Sequence, residues 1–366
     1  MSRLDKLRGD VPPRAHNART IAALTANPRC ARRAVLDCAG VDKGAIAKQV
    51  GFPARFGQSR FAITRGNAFE RQVKADGCAP LLGLLCERLG VPVPEVERHD
   101  LSGEEGNEAR HERTRRLIDA AAASGTPTLV DHPLLRLDVA GRGVYLEPDL
   151  VAVRLAGRFH VVEVKSFPVI DGQADPAKVA AAAIQSAVYV HAFRTLLAEL
   201  GHDEGAVSAE VLLVCPRDFG NRPVGTLLDV RRQVGVLRRQ LSRMAGVEEL
   251  VAQLPARASF DLRPDADGNP TRDAADLAGD LRSLTANYLP ACLSTCELAF
   301  FCRHADGDRT AALGATVPEE LGGIDDQGTA RALALGGPCT DPGQEAAGAL
   351  LRAAMRLRTE VVGEGR

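Results

Sequence analysis

No run of this chain approaches the length and hydrophobicity of a membrane span, and residues 1–11 are charged with no apolar stretch behind them. A spanning or secreted protein is not expected; the expected location is cytoplasmic, with no membrane partner. A GxxxxGK[ST] phosphate loop is also missing, which excludes that type of nucleotide-driven motor. Neither sign of charge is in surplus: 46 Lys+Arg against 47 Asp+Glu leave a net charge of −1. Any hold on nucleic acid must therefore come from local patches. Tryptophan is absent while alanine, glycine and arginine abound, a skew that reads as codon bias and carries no chemistry. No internal repeat is visible. The remainder is ordinary for a globular chain, and 366 residues suffice for one large domain with additions or for two.

Against this background two short segments stand out. Residues 144–153 and 159–167 are apolar runs separated by turn residues at 156–158, the pattern of a β-hairpin. Asp149 lies in the first, within Glu147-Pro148-Asp149, and Glu163-Val164-Lys165 lies in the second. Residues two apart on a strand share a face, so Glu163 and Lys165 point the same way. The hairpin thus gathers two carboxylates and an ammonium at one strand edge. Adjacent carboxylates repel unless a hard divalent cation takes both. Metal-dependent hydrolysis of a phosphodiester needs this set: a cation to polarise the phosphate and acidify water, and a positive group for the developing charge. The plain alternative is a turn aspartate and a solvent-exposed Glu163–Lys165 pair.

Asp149 followed by Glu163-Val164-Lys165 resembles the PD-(D/E)XK nuclease signature. Gln185-Ser186-Ala187-Val188-Tyr189 is similar to the QxxxY motif of the RecB-like branch, and Gly66-Asn67-Ala68-Phe69-Glu70 to its first motif. Many members carry histidine where this chain has Glu70, which is also an oxygen ligand for a hard cation. The resemblance covers roughly residues 27–302. It implies an α/β restriction-endonuclease-like core, a mixed central sheet flanked by helices. It also implies Mg²⁺ or Mn²⁺ held by Glu70, Asp149, Glu163 and the backbone of Val164, with Lys165 acting on the attacking water. Gln185 is expected to reach the site or the DNA, and Tyr189 to support it. The implied activity is a deoxyribonuclease working at ends or single strands, in repair, recombination or phage-defence (CRISPR-type) processing. A helicase or another nuclease subunit is the expected partner besides DNA.

Nine cysteines in a chain expected in a reducing compartment do not suggest disulfides. Cys292, Cys296 and Cys302 are closely spaced, and three thiolates need a fourth partner to bind zinc or an iron–sulfur cluster. Cys30 is the best fourth candidate, with Cys38 as its rival. RecB-like nucleases with a 4Fe–4S cluster, such as the AddB type and CRISPR-associated exonucleases, place one cysteine before the first motif and three after the core. Their C-terminal spacing is usually CxxC-x5-C; here the first gap is one residue longer. The resemblance implies a 4Fe–4S cluster stapling a helical cap, with Zn²⁺ as the alternative. Cys78, Cys86, Cys215 and Cys339 read as core, and His160, His191 and His304 as packing or surface residues.

A helix expected over 228–244 carries Val230, Val234, Leu237, Leu241 and Met244 on one stripe. Arg231, Arg232, Arg238, Arg239 and Arg243 lie off it and could track a phosphate backbone; the alternative is a solvated arginine face. Arg32 and Arg33 form another candidate patch, and Arg110, Arg113, Arg115 and Arg116 a weaker one. The expected organisation is an N-terminal helical segment (1–60), a nuclease core (61–245), a helical region with the cysteine cluster (246–305) and a Gly/Ala-rich tail (306–366). The competing functions are a DNA-binding accessory subunit with weak or partner-dependent catalysis, and a zinc-binding interaction protein.

Overall fold

The computed structural model describes the chain except residues 1, 15–16, 55–59, 104–105, 140–141, 156, 219, 244–245 and 364–366, and without the side chains of 60–62, 142, 150–154, 243 and 363. Met244 and the Arg243 side chain, both assigned to the basic helix above, therefore lie outside it. The architecture is α/β, and no described helix is long and apolar enough to cross a membrane. The chain divides into two units, each built from separated stretches: 13–28 with 57–250, and 1–12 with 29–56 and 251–366.

The first unit is built on a six-stranded mixed sheet. Ten strands follow in chain order: β1 Glu97–Asp100, β2 Thr128–Asp131, β3 Leu135–Val139, β4 Arg142–Leu146, β5 Leu150–Leu155, β6 Arg158–Val164, β7 Val169–Ile170, β8 Gln173–Ala174, β9 Glu210–Pro216 and β10 Pro223–Asp229. The sheet order is β1-β2-β5-β6-β9-β10. β5 and β6 run antiparallel, with Leu150 opposite Val162, whereas β6 and β9 run parallel, with Val164 beside Val214. The run expected over 144–153 is broken. Residues 147–149 are irregular, so β4 leaves the main sheet to pair with β3, and Asp149 sits just before β5, not within it. Pro148 explains the break, because it has no N–H to give a ladder. β1 is polar along its length. Its Glu-Arg-His-Asp sequence lacks an apolar alternation, and it is an edge strand pairing only with β2.

Period-2 alternation sorts the sheet's side chains between two helical layers. Leu129, Val162, Leu212 and Val214 pack with Phe69, Val73, Leu81 and Leu85 of helices Arg60–Val73 and Ala75–Leu89. On the opposite face, Leu213 and Cys215 pack with Ala182 of helix Pro176–Glu199, and Phe159 meets Phe193 edge-on at 5.3 Å. Asp175 caps that helix, accepting from the Ala177 and Lys178 amides, and Pro176 opens it. The hairpin's end is therefore held between a helix on each side.

The second unit is helical. Helix Ala31–Ala39 follows Cys30, and Lys43–Gln49 is capped by Asp42. Helix Ala274–Arg282 precedes the short helices Cys292–Thr295 and Ala299–Ala305. The stretch after 306, read from sequence as a tail, contains helices Gln327–Ala334 and Glu345–Gly363 around a small core of Ile324, Leu333 and Ala347. Cys339 packs on that core but is only half-buried, unlike the eight other cysteines.

The aromatic pair of the sheet unit gives a direct test of this packing. Phe193 is fully buried, and Phe193→Ala is expected to lower the unit's stability by about 3–5 kcal/mol, read from the urea midpoint.

Candidate active site and thiol cluster

At the carboxyl end of β6 the expected residues converge. Glu163, 1% exposed, is the last buried residue of the strand, and Lys165 follows two positions later on the same face. Their side chains form an ion pair through Lys165 Nζ and Glu163 Oε1. The other oxygen, Glu163 Oε2, is buried with no hydrogen-bond partner among the described residues. Asp149 approaches from the irregular stretch before β5, and its Oδ2 accepts the Val164 N–H at 2.6 Å. That carboxylate replaces a ladder bond, since β5 begins only at Leu150, opposite Val162. A strand residue's N–H and C=O point to the same edge, so the Val164 carbonyl faces the Asp149 side too.

The electrostatics follow from crowding two carboxylates in a buried place. Burial, then the Asp149 charge, pushes Glu163 up to about 8, with Lys165 opposing. Burial also raises Asp149, offset in part by Lys165 and by the Val164 N–H. Burial works against the Lys165 ammonium, but Glu163 and Asp149 outweigh it and hold it above the usual lysine value. Tyr189 is raised first by burial and then by the Glu163 and Asp149 charges. Gln185 donates to the Tyr189 hydroxyl at 3.3 Å, so the two expected residues are linked to each other one helical turn apart.

Glu70 comes from helix Arg60–Val73, and its charge raises both Asp149 and Glu163. Lys74, one turn along, places Nζ 2.8 Å from Glu70 Oε1 and 2.9 Å from Asp131 Oδ1. Asp131, 2% exposed, also takes Arg98 Nη2 at 3.0 Å and lies 3.1 Å from His132 Nδ1. Asp100, Asp131 and His132 have ligand-type atoms within 4.8 Å of one another. Sequence reading missed this group because it joins a helix to two strands; the polar Asp131-His132 pair ending an apolar strand was the one available signal. Gly66 is not demanded by space, since a Cβ there would meet Ser166 Oγ at 3.6 Å, an ordinary contact.

The thiols gather in the helical unit. Cys30, Cys292, Cys296 and Cys302 are all buried. Cys302 feels the charges of Cys30 and Cys292, and Cys296 feels that of Cys302. Arg32 donates to Cys302 Sγ at 2.9 Å and to the carbonyls of Leu281 and Leu284. Arg33 donates to the Thr295 carbonyl at 2.7 Å and pairs with Asp37, as does Lys43. Burial pushes Cys296 up to about 12 even though Lys43 and Arg33 pull the other way. Arg32 and Arg33 are 5% and 3% exposed, which corrects their reading as a DNA-facing patch: they are interior donors beside sulfur. The Arg33 Nη1 is buried with no hydrogen-bond partner among the described residues.

The basic helix spans Arg231–Arg243. Val230, Val234 and Leu237 are buried, while Arg231, Arg232, Arg238 and Arg239 are exposed. Arg231 pairs with Asp229. On helix Asn107–Ser124, Arg110 lies 2.5 Å from Glu147 and Arg115 lies 2.9 Å from Glu199, so these cations are engaged by acids.

No family model and no curated protein matches this chain. A solved structure described as "Crystal structure of SSO0001" aligns over 66% of this chain and 82% of its own, at 12% identity and a TM-score of 0.21, too slight a likeness to bear on the fold.

The thiol environments predict their reactivity. At pH 8 a water-soluble disulfide reagent is expected to modify Cys339 quickly in the native protein and all nine cysteines only after denaturation.

Proposed function

We propose that this protein is a divalent-metal-dependent deoxyribonuclease with a PD-(D/E)XK-like core and a structural 4Fe–4S cluster. The observation that carries the reading is the buried, half-satisfied Glu163 carboxylate beside Asp149, with Lys165 on one side. A buried charge without full pairing is costly, and such sites are where metal ions and catalysis belong. The mixed order of β5, β6 and β9, with helices on both faces, fits the core that the motifs imply.

Asp149 and Glu163 would hold Mg²⁺ or Mn²⁺ with the Val164 carbonyl, and Glu70 would join them directly or through water. The ion would supply charge for the scissile phosphate and acidify water. The chain's own groups do the rest. The Val164 N–H fixes Asp149. Lys165, kept protonated by Glu163 and Asp149, offers its ammonium to the charge that builds on phosphate oxygens. Tyr189, hydrogen-bonded by Gln185, is buried near enough to feel both carboxylate charges. The exposed Arg231, Arg232, Arg238 and Arg239 are a candidate track for the DNA backbone.

Cys30, Cys292, Cys296 and Cys302 would hold the cluster, and binding it would become folding energy for the helical unit. One observation favours a cluster over zinc: Arg32, Arg33 and Lys43 lie beside the sulfurs, and Arg33 Nη1, with no hydrogen-bond partner among the described residues, has a donor to spare for an anionic cluster.

End-labelled single- and double-stranded DNA are expected to be cut in Mn²⁺ and spared in EDTA, with Asp149→Ala and Lys165→Ala each slowing cleavage by about 10²-fold or more. Cleavage indifferent to both substitutions would overturn the assignment. Anaerobically purified protein is expected to be brown, with broad visible absorbance lost in Cys302→Ser. A colourless wild-type protein that carries zinc would remove the cluster from the account.

A further inference from the structure

Glu70 is half-exposed, yet it is not free. Lys74 sits one helical turn after it, and the two form an ion pair at 2.8 Å. On a solvated helix face such a pair is weak. This one differs because the Lys74 side chain is only 8% exposed, and its ammonium is also 2.9 Å from Asp131 Oδ1 and 3.3 Å from His132 Nε2. Asp131 is fixed in β2 and buried, and it is further engaged by Arg98. The ammonium therefore has a buried anchor, Asp131, on one side and the half-exposed Glu70 carboxylate on the other. With Lys74, Arg98 and His132 already around Asp131, the Asp100–Asp131–His132 group holds its positive charge in side chains and offers little to a metal ion. The same Lys74 charge reaches Asp149, whose raised state it opposes.

We infer that Lys74, anchored by Asp131, competes with the divalent cation for Glu70 and so sets the affinity of the metal site. This rests on the nuclease reading above. With Glu70 Oε1 held by Lys74, a divalent ion must either displace the ammonium or share with it the charge of one carboxylate, and both weaken the hold on the ion. Lys74 is thus a positioning residue that keeps the third carboxylate partly withheld. The carboxylate most available from sequence spacing is, in the fold, the one already neutralised.

The test is direct Mn²⁺ binding, read from the electron paramagnetic resonance of free Mn²⁺, with the full-length protein in wild-type, Lys74→Met, Glu70→Gln and doubly substituted forms. Lys74→Met is expected to tighten Mn²⁺ binding by about tenfold, the scale of one charge-assisted bond. Lys74→Arg should stay near wild type, and Lys74→Met should change nothing once Glu70 is Gln. Unchanged or weaker binding in Lys74→Met overturns the inference, as does equal tightening with and without Glu70, which would mark a general effect of charge. Should circular dichroism show Lys74→Met unfolded, Lys74→Gln is read against the same outcomes. Wild-type protein that binds no Mn²⁺ would overturn the nuclease reading itself, a result distinct from the failures above.

Discussion

The sheet unit is organised around one electrostatic problem: two carboxylates, Asp149 and Glu163, held together where water does not reach both. A protein that needed only stability would not keep them, since apolar residues of similar volume serve as well or better in such places. What surrounds them reads as compensation. Lys165 takes one Glu163 oxygen, the Val164 amide takes Asp149, and Tyr189 closes the helix side. Glu163 Oε2 has no hydrogen-bond partner among the described residues, and that is the strongest pointer to a cation. The proline that breaks the 144–153 run belongs to this arrangement, because only a strand that starts after Asp149 leaves the Val164 N–H for a side chain.

The helical unit meets a related demand with the signs exchanged. Cys30, Cys292, Cys296 and Cys302 are buried there, and burial raises the Cys296 and Cys302 thiols. Arg32, Arg33 and Lys43 stand beside them, each tied down by carbonyls or by Asp37. Buried arginines directed at sulfur are an unusual expense for a scaffold and a sensible one for an anionic group. Both places hold fixed charges in position without a ligand, an arrangement that would keep reorganisation small if the proposed ion and cluster bind.

How much of this was legible in the sequence depends on whether the signal was local. Glu163 and Lys165 were readable because strand periodicity alone puts them on one face, and Asp149 because a hairpin must return to it. The helix carrying Gln185 and Tyr189 was visible, but their roles were not, since those turn on which side chain lies nearer the carboxylates. The Lys74–Asp131–His132 network was hidden because it joins residues 58 apart, Lys74 and His132, through the packing of a helix on a sheet. Arg32 and Arg33 were misread because arginine is usually a surface residue, and only tertiary structure reveals their interior acceptors. β1 leaves little trace in the sequence because an exposed edge strand needs no apolar alternation.

The measurement that reaches the central claim most directly is calorimetric titration of Mn²⁺ at pH 7 in two buffers of different ionisation enthalpy, which counts protons released on binding. Burial and the Asp149 charge raise Glu163, so a cation binding there competes with protons. The account predicts net proton release on binding, vanishing in Glu163→Gln along with most of the affinity. Binding that releases no proton and survives Glu163→Gln would place the ion elsewhere and contradict it.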